Sequence, residues 1–196
     1  MTNQFRQSGG LGSTNNQHID ARSYVTYQSP DVIRSPSIVM TLVDILSQVS
    51  QPAVGTTADF RPFEIDEKLS YNNVITYKGM IQNYSEYVMM IDEAYQTLAV
   101  NKPSGRDKVL KLIHQQYLLI LGELSNSLGI DSSDSVAILG LVRGNSDQII
   151  KAVIETVESI CRTSAGCETI DQEDIILHSQ YIVFHAFVEC KVLEKP

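Results

Sequence analysis

The sequence lacks the features of a membrane or secreted protein. It has no run of 18 or more apolar residues, which a membrane-spanning helix requires, and its first 30 residues hold no apolar segment of signal-peptide length. Cysteine is scarce, with only Cys161, Cys167 and Cys190. Three thiols in a reducing compartment predict no structural disulfide. We therefore expect a cytoplasmic protein without a membrane segment.

A nucleotide-binding loop is also missing. Such a loop needs a glycine-rich turn with Lys followed by Ser or Thr after a strand, and the segment Gly140-Leu-Val-Arg-Gly144 lacks both the lysine and the spacing. The chain is therefore not expected to be an ATPase of that class.

Basic residues are in deficit. The formal net charge is −8, and the first 36 residues carry three arginines against two aspartates, so the remainder carries about −9. Nucleic-acid binding depends on Lys and Arg that displace counterions from the phosphate backbone. The charge therefore disfavours direct nucleic-acid binding.

The residues that could support catalysis are few. The best metal-ligand set is His178, His185 and Glu189 on the last predicted helix, but the two histidines lie about 10 Å apart along the helix axis at the usual rise. Cys190 follows an apolar run, which predicts an inert core thiol. We expect no metal, no cofactor and no enzymatic activity, and a small metal-dependent enzyme is the weakest alternative.

The chain divides by composition into a tail and a body. Residues 1–36 are rich in Gln, Asn, Ser, Gly and Thr, which predicts a disordered polar tail, although residues 23–28 (SYVTYQ) would form a strand beside a suitable partner edge. Residues 37–196 are expected to form one helical domain. Its first helix starts after Pro36 with Ser37 near the cap, and residues 51–63 form a connector.

A heptad-like seam follows the connector and predicts one long helix from about Ile65 to Leu98. The seam residues are Val74, Tyr77, Ile81, Tyr84, Val88, Ile91, Tyr95 and Leu98. Such a seam fits a partner helix in the same chain or in another chain, so it indicates packing or assembly.

The next predicted helix pairs with the seam helix in an antiparallel arrangement. Ser104 is its expected cap, with Asp107 three residues later, and Gly129 stands where a left-handed terminator belongs. Its apolar positions are Val109, Leu110, Ile113, Tyr117, Ile120, Leu121, Leu124 and Leu128.

The last third of the chain is predicted to be helical with one open segment. Residues 130–144 fit either a helix or a buried strand. Asn145 with Gln148, and Thr169 with Gln172, are expected to cap the last two helices, and the final one is apolar enough to be central. The fold class is thus an all-α bundle of five or six helices.

Tyrosines concentrate on the two paired helices. They are Tyr71, Tyr77, Tyr84, Tyr87, Tyr95 and Tyr117. Tyrosine has an apolar body and a polar tip, so it suits both half-buried seams and protein interfaces. Intramolecular packing is the favoured interpretation, and a partner surface is the alternative.

Four segments carry a resemblance to a known family, over about residues 60–196. They are Phe63-Glu-Ile-Asp-Glu-Lys-Leu-Ser-Tyr-Asn-Asn73, Val109 to Leu118, Asn145-Ser-Asp147 with Ile149 and Ile150, and Ala186-Phe-Val-Glu-Cys-Lys-Val-Leu-Glu-Lys-Pro196. They resemble the helical C-terminal or middle-component-like domain of bacterial ABC three-component conflict systems, which are similar to Lamassu-type defence. In many relatives this domain follows an effector domain, whereas here a polar tail precedes it.

The resemblance implies a role in assembly. Such systems pair an SMC-like ABC ATPase with a middle component and an effector, so the implied function is a non-catalytic adaptor that docks the ATPase, the effector or both. A self-associating helical regulator that forms homo-oligomers is the alternative. The residues expected at the partner interface are Tyr71, Asn72, Asn73, Tyr84, Tyr87, Phe187, Lys191, Leu193 and Glu194.

Overall fold

The prediction of an all-α fold is confirmed. The computed structural model of the chain describes residues 34–49 and 62–196, and these ranges contain seven α-helices and no β-strand. The helices are α1 (Ile38–Gln48), α2 (Pro62–Tyr71), α3 (Lys78–Gln82), α4 (Val88–Asn101), α5 (Gly105–Ser127), α6 (Ser135–Thr163) and α7 (Gln172–Val188). Most of the predicted tail and connector, including residues 23–28, lies outside the described residues.

Helix α1 begins where the sequence predicts. The Oγ atom of Ser37 accepts a hydrogen bond from the amide of Val39 at 3.2 Å, which satisfies one of the free amides of the first turn. Its apolar face is fully buried and packs against α4, α5, α6 and α7. Helix α1 therefore lies at the centre of the bundle.

The prediction of one long helix from Ile65 to Leu98 is wrong. The segment forms α2, α3 and α4, with a 3₁₀ turn at Asn83–Glu86. Asn73 adopts a left-handed conformation with φ of 55°, which a continuing helix does not allow. Asp147 of α6 then accepts the backbone amides of residues 75–77 at 3.0–3.4 Å, so a distant side chain stabilises the break.

The seam residues are nevertheless internal. Tyr77 is half-buried, the side chain of Tyr84 lies outside the described residues, and the other six are buried. These six are Val74, Ile81, Val88, Ile91, Tyr95 and Leu98. The apolar spacing therefore predicted correctly which residues are buried in the core. It did not predict that the backbone divides this segment into shorter helices.

Helices α4 and α5 pack against each other across a three-residue connection, as predicted. Ser104 occupies the N-cap position, but its side chain makes no capping hydrogen bond. Gly105 is required for the close approach, because an added Cβ would lie 2.7 Å from Cδ2 of Leu98. Gly129 has a φ of 66° just after α5, in the left-handed region that the sequence predicts.

Helix α6 resolves the segment that the sequence left open. Asp134 caps it by accepting the amides of Val136 and Ala137 at 3.0 Å, so the helix starts before the predicted cap at Asn145. Asn145 instead lies at a kink with φ of −132°, and its Nδ2 atom donates to the carbonyl of Leu141 at 2.8 Å. The helix continues through the kink to Thr163.

Helix α7 is central, as expected from its apolar sequence. It contacts α1, α4, α5 and α6 and buries Phe184 and Phe187 completely. Its N-cap residue is Asp171, whereas Thr169, the predicted cap, belongs to the preceding 3₁₀ turn. Across the described residues, no helix combines the length and apolarity needed to cross a bilayer.

Candidate functional site at the C-terminal segment

The residues after α7, 189–196, are here called the C-terminal segment, and they begin with a tight reversal. The amide of Cys190 donates to the carbonyl of Phe187 at 3.0 Å, and the amide of Lys191 donates to that of Ala186 at 2.8 Å. Cys190 has a φ of 56°. This is a Schellman ending in which a cysteine occupies the position that usually holds glycine.

Asn72, just after α2, fixes the other end of the C-terminal segment. Its Nδ2 atom donates to the carbonyl of Glu194 at 2.8 Å, and its Oδ1 atom accepts the amide of Glu194 at 2.9 Å. Nδ2 also donates to the carbonyl of Lys68 at 2.9 Å. One fully buried amide therefore joins α2 to the backbone of the C-terminal segment.

Two side chains of α5 hold the same segment from the opposite side. Nδ1 of His114 lies 2.9 Å from the carbonyl of Lys191, and the hydroxyl of Tyr117 donates to Oε1 of Glu194 at 2.7 Å. Burial and the hydrogen bond to Glu194 raise the pKa of Tyr117. Asn72, His114 and Tyr117 are here called the C-terminal clamp.

Lys68 is a buried cation beside the clamp. It is 3% exposed, its Nζ atom donates to the carbonyl of Phe187, and it lies 4.4 Å from the centroid of the Phe187 ring. Burial lowers the pKa of Lys68 to about 8, although the nearby side chains of Cys190 and Glu194 oppose that shift. The amine is therefore partly uncharged near neutral pH.

A cavity of about 440 Å³ opens between α2, α4 and the C-terminal segment, with Lys68 and Cys190 in its lining. Its apolar wall includes Ile65, Val88 and Phe187. The volume falls in the range of small-molecule sites, but the cavity also has an open, charged rim.

The rim of the cavity carries acidic side chains. Glu189 forms an ion pair with Arg106 at 3.0 Å, and burial, reinforced by the nearby Glu189, raises the pKa of Asp92. Arg106 acts in the opposite direction on Asp92. One arginine, Arg106, therefore interacts with two carboxylates of the rim.

A second polar network secures the break between α2 and α3. Asp147 accepts three successive backbone amides, Ser146 donates from Oγ to the carbonyl of Asn73 at 3.0 Å, and Nδ2 of Asn73 donates to the carbonyl of Arg143 at 3.3 Å. This network lies at the kink of α6 and holds the α2–α3 connection against that part of the helix.

The two histidines of α7 are buried and held neutral. Burial lowers the pKa of His178, and burial with the nearby Arg106 lowers that of His185 to about 3. No group of three or more potential metal ligands occurs among residues 34–49 and 62–196.

The three cysteines are free thiols in different surroundings. Cys161 is buried, and burial raises its pKa to about 11, whereas Cys167 is half-buried. Cys190 is exposed, so the prediction of a core thiol is wrong. The reason is that α7 ends before Cys190, and the reversal turns its side chain outward.

Residues 37–194 match the model of C-terminal domain 10 of the ABC-three component (ABC-3C) systems. The chain belongs to this family. The match includes all seven helices of the described structure and the clamp. Searches of curated proteins and of solved structures gave no match.

The residues behind the sequence resemblance have structural roles in this ABC-3C domain. Asn72 and Tyr117 hold Glu194, while Asp147 caps the α2–α3 connection from α6. Each of these contacts joins segments that are about 70 residues or more apart in sequence. The short polar motifs therefore contain residues whose hydrogen bonds join distant segments of the domain.

The residues predicted at the partner interface divide by exposure. Asn72, Tyr87, Phe187 and Leu193 are buried in this chain. Tyr87, for example, stacks on Tyr181 with ring centroids 4.1 Å apart. The place of these four residues at a partner interface stays a prediction.

The remaining interface candidates stay predictions. Asn73 is exposed, and Tyr71, Lys191 and Glu194 are partly exposed. The side chain of Tyr84 lies outside the described residues. Tyr71 and Asn73 are adjacent in sequence to Asn72, and the clamp contacts Lys191 and Glu194. These four candidates therefore belong to two segments that the clamp joins.

Sequence reasoning missed Lys68. The residue lies with Ile65, Leu69 and Asn72 at the i, i+3, i+4 and i+7 positions of one helical face, and all four are buried. That spacing was a usable signal for a buried lysine. Its contact with the end of α7 had no local signal, because the two positions are 119 residues apart.

Proposed function

We propose that this ABC-3C domain is a non-catalytic assembly subunit of a bacterial anti-phage system in the cytoplasm. It docks an SMC-like ABC ATPase, an effector, or both. The observation that carries this proposal is the family match across residues 37–194, since the family belongs to a system of several components.

The use of the motif residues supports this role. Asn72, Tyr117 and Asp147 direct their polar atoms to backbone or side-chain groups of the same chain. Residues that close a fold give a rigid platform, and rigid interfaces lose less entropy when a partner binds. The motif residues thus stabilise the fold of the domain. Other residues, exposed on its surface, would contact the partner protein.

The best docking surface lies beside the α2–α3 connection. Ile75 is 70% exposed and Met80 is 51% exposed, while Asn73 is an exposed neighbour from the predicted interface. Methionine and other large apolar residues are favoured at the centre of protein interfaces. The acidic body of the chain also favours a protein partner over nucleic acid.

The self-associating alternative has lost its main support. It depended on a seam from Val74 to Leu98 that could pair with a second copy. Six of those eight positions are buried inside the chain, so the spacing is explained by intramolecular packing.

Co-expression with the products of the neighbouring genes tests the proposal. The tagged full chain should retain the ATPase, the effector, or both. The double variant Ile75→Glu with Met80→Glu should lose at least one of them, because it places two charges in the proposed surface.

The matched control is Val100→Glu, since Val100 is 79% exposed on α4 and also apolar. Circular dichroism should show the same helicity for all three proteins. Retention of every partner by the double variant, or equal loss in the control, would contradict this docking surface. A chain that retains no partner at all would contradict the assembly role.

A further inference from the structure

We infer that Lys68 and Cys190 form an oxidation-dependent modification site, in which a peroxide links the Cys190 sulfur to the Lys68 nitrogen as a sulfenamide. The link would join α2 to the C-terminal segment covalently. This inference does not depend on the assembly role.

The two residues are neighbours at the end of α7. The carbonyl of Phe187 accepts hydrogen bonds from both Nζ of Lys68 and the backbone amide of Cys190. Cys190 lies in the reversal, where its side chain is exposed and its Sγ atom lies 3.7 Å from the carbonyl of Val188. The lysine amine and the cysteine are therefore held close to the same backbone carbonyl.

A peroxide can reach the thiol. Cys190 is exposed, and both residues line the cavity of about 440 Å³. Oxidation-sensitive cysteines are typically accessible to solvent. The site therefore has the access that the first step needs.

The chemistry balances in two steps. The Cys190 thiol and one peroxide molecule give a sulfenic acid and water, so sulfur is oxidised by two electrons and the peroxide is reduced. The uncharged Lys68 amine then attacks the sulfur. An S–N bond forms, the S–O bond breaks, and the departing hydroxyl takes an amine proton and leaves as a second water.

Burial makes the amine ready for that attack. An ordinary lysine is almost fully protonated at neutral pH, whereas the pKa of Lys68 is lowered to about 8 by desolvation. The uncharged fraction increases with pH across this value. The second step should therefore become faster between pH 7 and pH 9.

The other two cysteines provide internal comparisons. Cys161 is buried with a pKa raised to about 11, which keeps it protonated and inaccessible. Cys167 has a cation beside it, but that cation is the guanidinium of Arg34, which does not lose its proton in proteins. Only Cys190 pairs a reachable thiol with an amine in the described structure.

Mass spectrometry of the full-length protein tests the inference. The protein is treated with equimolar hydrogen peroxide at pH 8, blocked with an alkylating reagent and digested. We expect a linked peptide that contains Lys68 and Cys190 and lacks two hydrogen atoms relative to the two free peptides. Dithiothreitol should restore the separate peptides, and oxidation should raise the midpoint temperature of unfolding.

Variants make the result specific. Cys167→Ser should retain the link, and Cys190→Gly should abolish it. Glycine suits the left-handed backbone at position 190, so this variant is expected to fold. Lys68→Arg should also abolish the link while keeping a positive charge.

Four results would overturn the inference. They are a sulfinic acid on Cys190 with an unmodified Lys68, a disulfide-linked dimer through Cys190, a linked peptide that carries an additional oxygen atom, and loss of the link in Cys167→Ser.

Discussion

The side-chain amide of Asn72 pairs with both backbone polar groups of Glu194, with hydrogen bonds of 2.8 and 2.9 Å. This pairing mimics one step of a strand ladder, but a side chain supplies one half of it. Because Asn72 is fully buried and directly follows α2, the pairing connects the end of α2 to the last residues of the domain.

The first prediction concerns this pairing. Asn72→Ala should reduce the free energy of unfolding by about 2–4 kcal/mol, because it leaves the amide and carbonyl of Glu194 without their partner. Urea unfolding followed by circular dichroism measures the change. Ser70→Ala is the control, since Ser70 is exposed on α2 and alanine is a good helix former. A loss in the control as large as in Asn72→Ala would refute this explanation.

The second prediction concerns Asp147. Asp147→Ala should cost about 1–2 kcal/mol of unfolding free energy, as for the loss of a helix cap, because three backbone amides at residues 75–77 lose their acceptor. Hydrogen exchange should also become faster at these amides. The exposed neighbour Gln148, changed to Ala, should stay within about 0.5 kcal/mol. Unchanged protection in Asp147→Ala would show that the cap is unnecessary.

The third prediction compares the two left-handed residues of the C-terminal segment. Cys190 and Leu193 have φ of 56° and 59°, but Cys190 is exposed and Leu193 is buried. Cys190→Gly should therefore stabilise the protein by about 1 kcal/mol, because glycine removes the steric cost. Leu193→Gly should destabilise it by about 2–4 kcal/mol through lost packing. Thermal unfolding distinguishes these outcomes, and a loss of stability in Cys190→Gly would contradict the strain argument.

The fourth prediction concerns acid. The pKa of His185 is lowered from 6.5 to about 3 in the folded protein, so between these pH values the unfolded chain binds a proton that the folded chain does not bind. The stability from neutral His185 is complete above pH 6.5 and is lost as pH falls toward 3, by up to about 1.4 kcal/mol per pH unit.

His185→Gln tests this pH dependence. The variant should show a flatter dependence of unfolding free energy on pH below 6.5, although His178, whose pKa is also lowered, keeps part of it. Gln115→Ala is the control on α5, because Gln115 is exposed and has no titratable group. Parallel profiles for the wild type and His185→Gln would show that this histidine does not titrate as expected.

The sequence predicted the core better than the helix boundaries. Apolar spacing identified the buried positions from Val74 to Leu98 correctly, because burial depends on side-chain chemistry. It missed the 3₁₀ turn between α3 and α4, and it missed the break between α2 and α3, which Asp147 stabilises from about 70 residues away along the chain. Local capping signals worked at Ser37 and failed at Thr169, where Asp171 is the cap residue.

The site was harder to predict than the fold. The motifs identified Asn72, Tyr117 and Glu194, but the sequence could not show that they contact one another. Asn72 and Glu194 were assigned to a partner interface, whereas Asn72 is buried in this chain. Polar residues within an otherwise apolar pattern have two explanations, recognition and internal closure, and only three-dimensional contacts distinguish them.

The central claim is that this ABC-3C domain joins the components of a defence system. The most direct test is affinity purification of the tagged full chain from its native host, followed by mass spectrometry of the proteins that accompany it. We predict recovery of an SMC-like ABC ATPase, an effector, or both, with loss of at least one in the Ile75→Glu, Met80→Glu variant. Recovery of the chain alone, as a single species of defined mass, would contradict the claim.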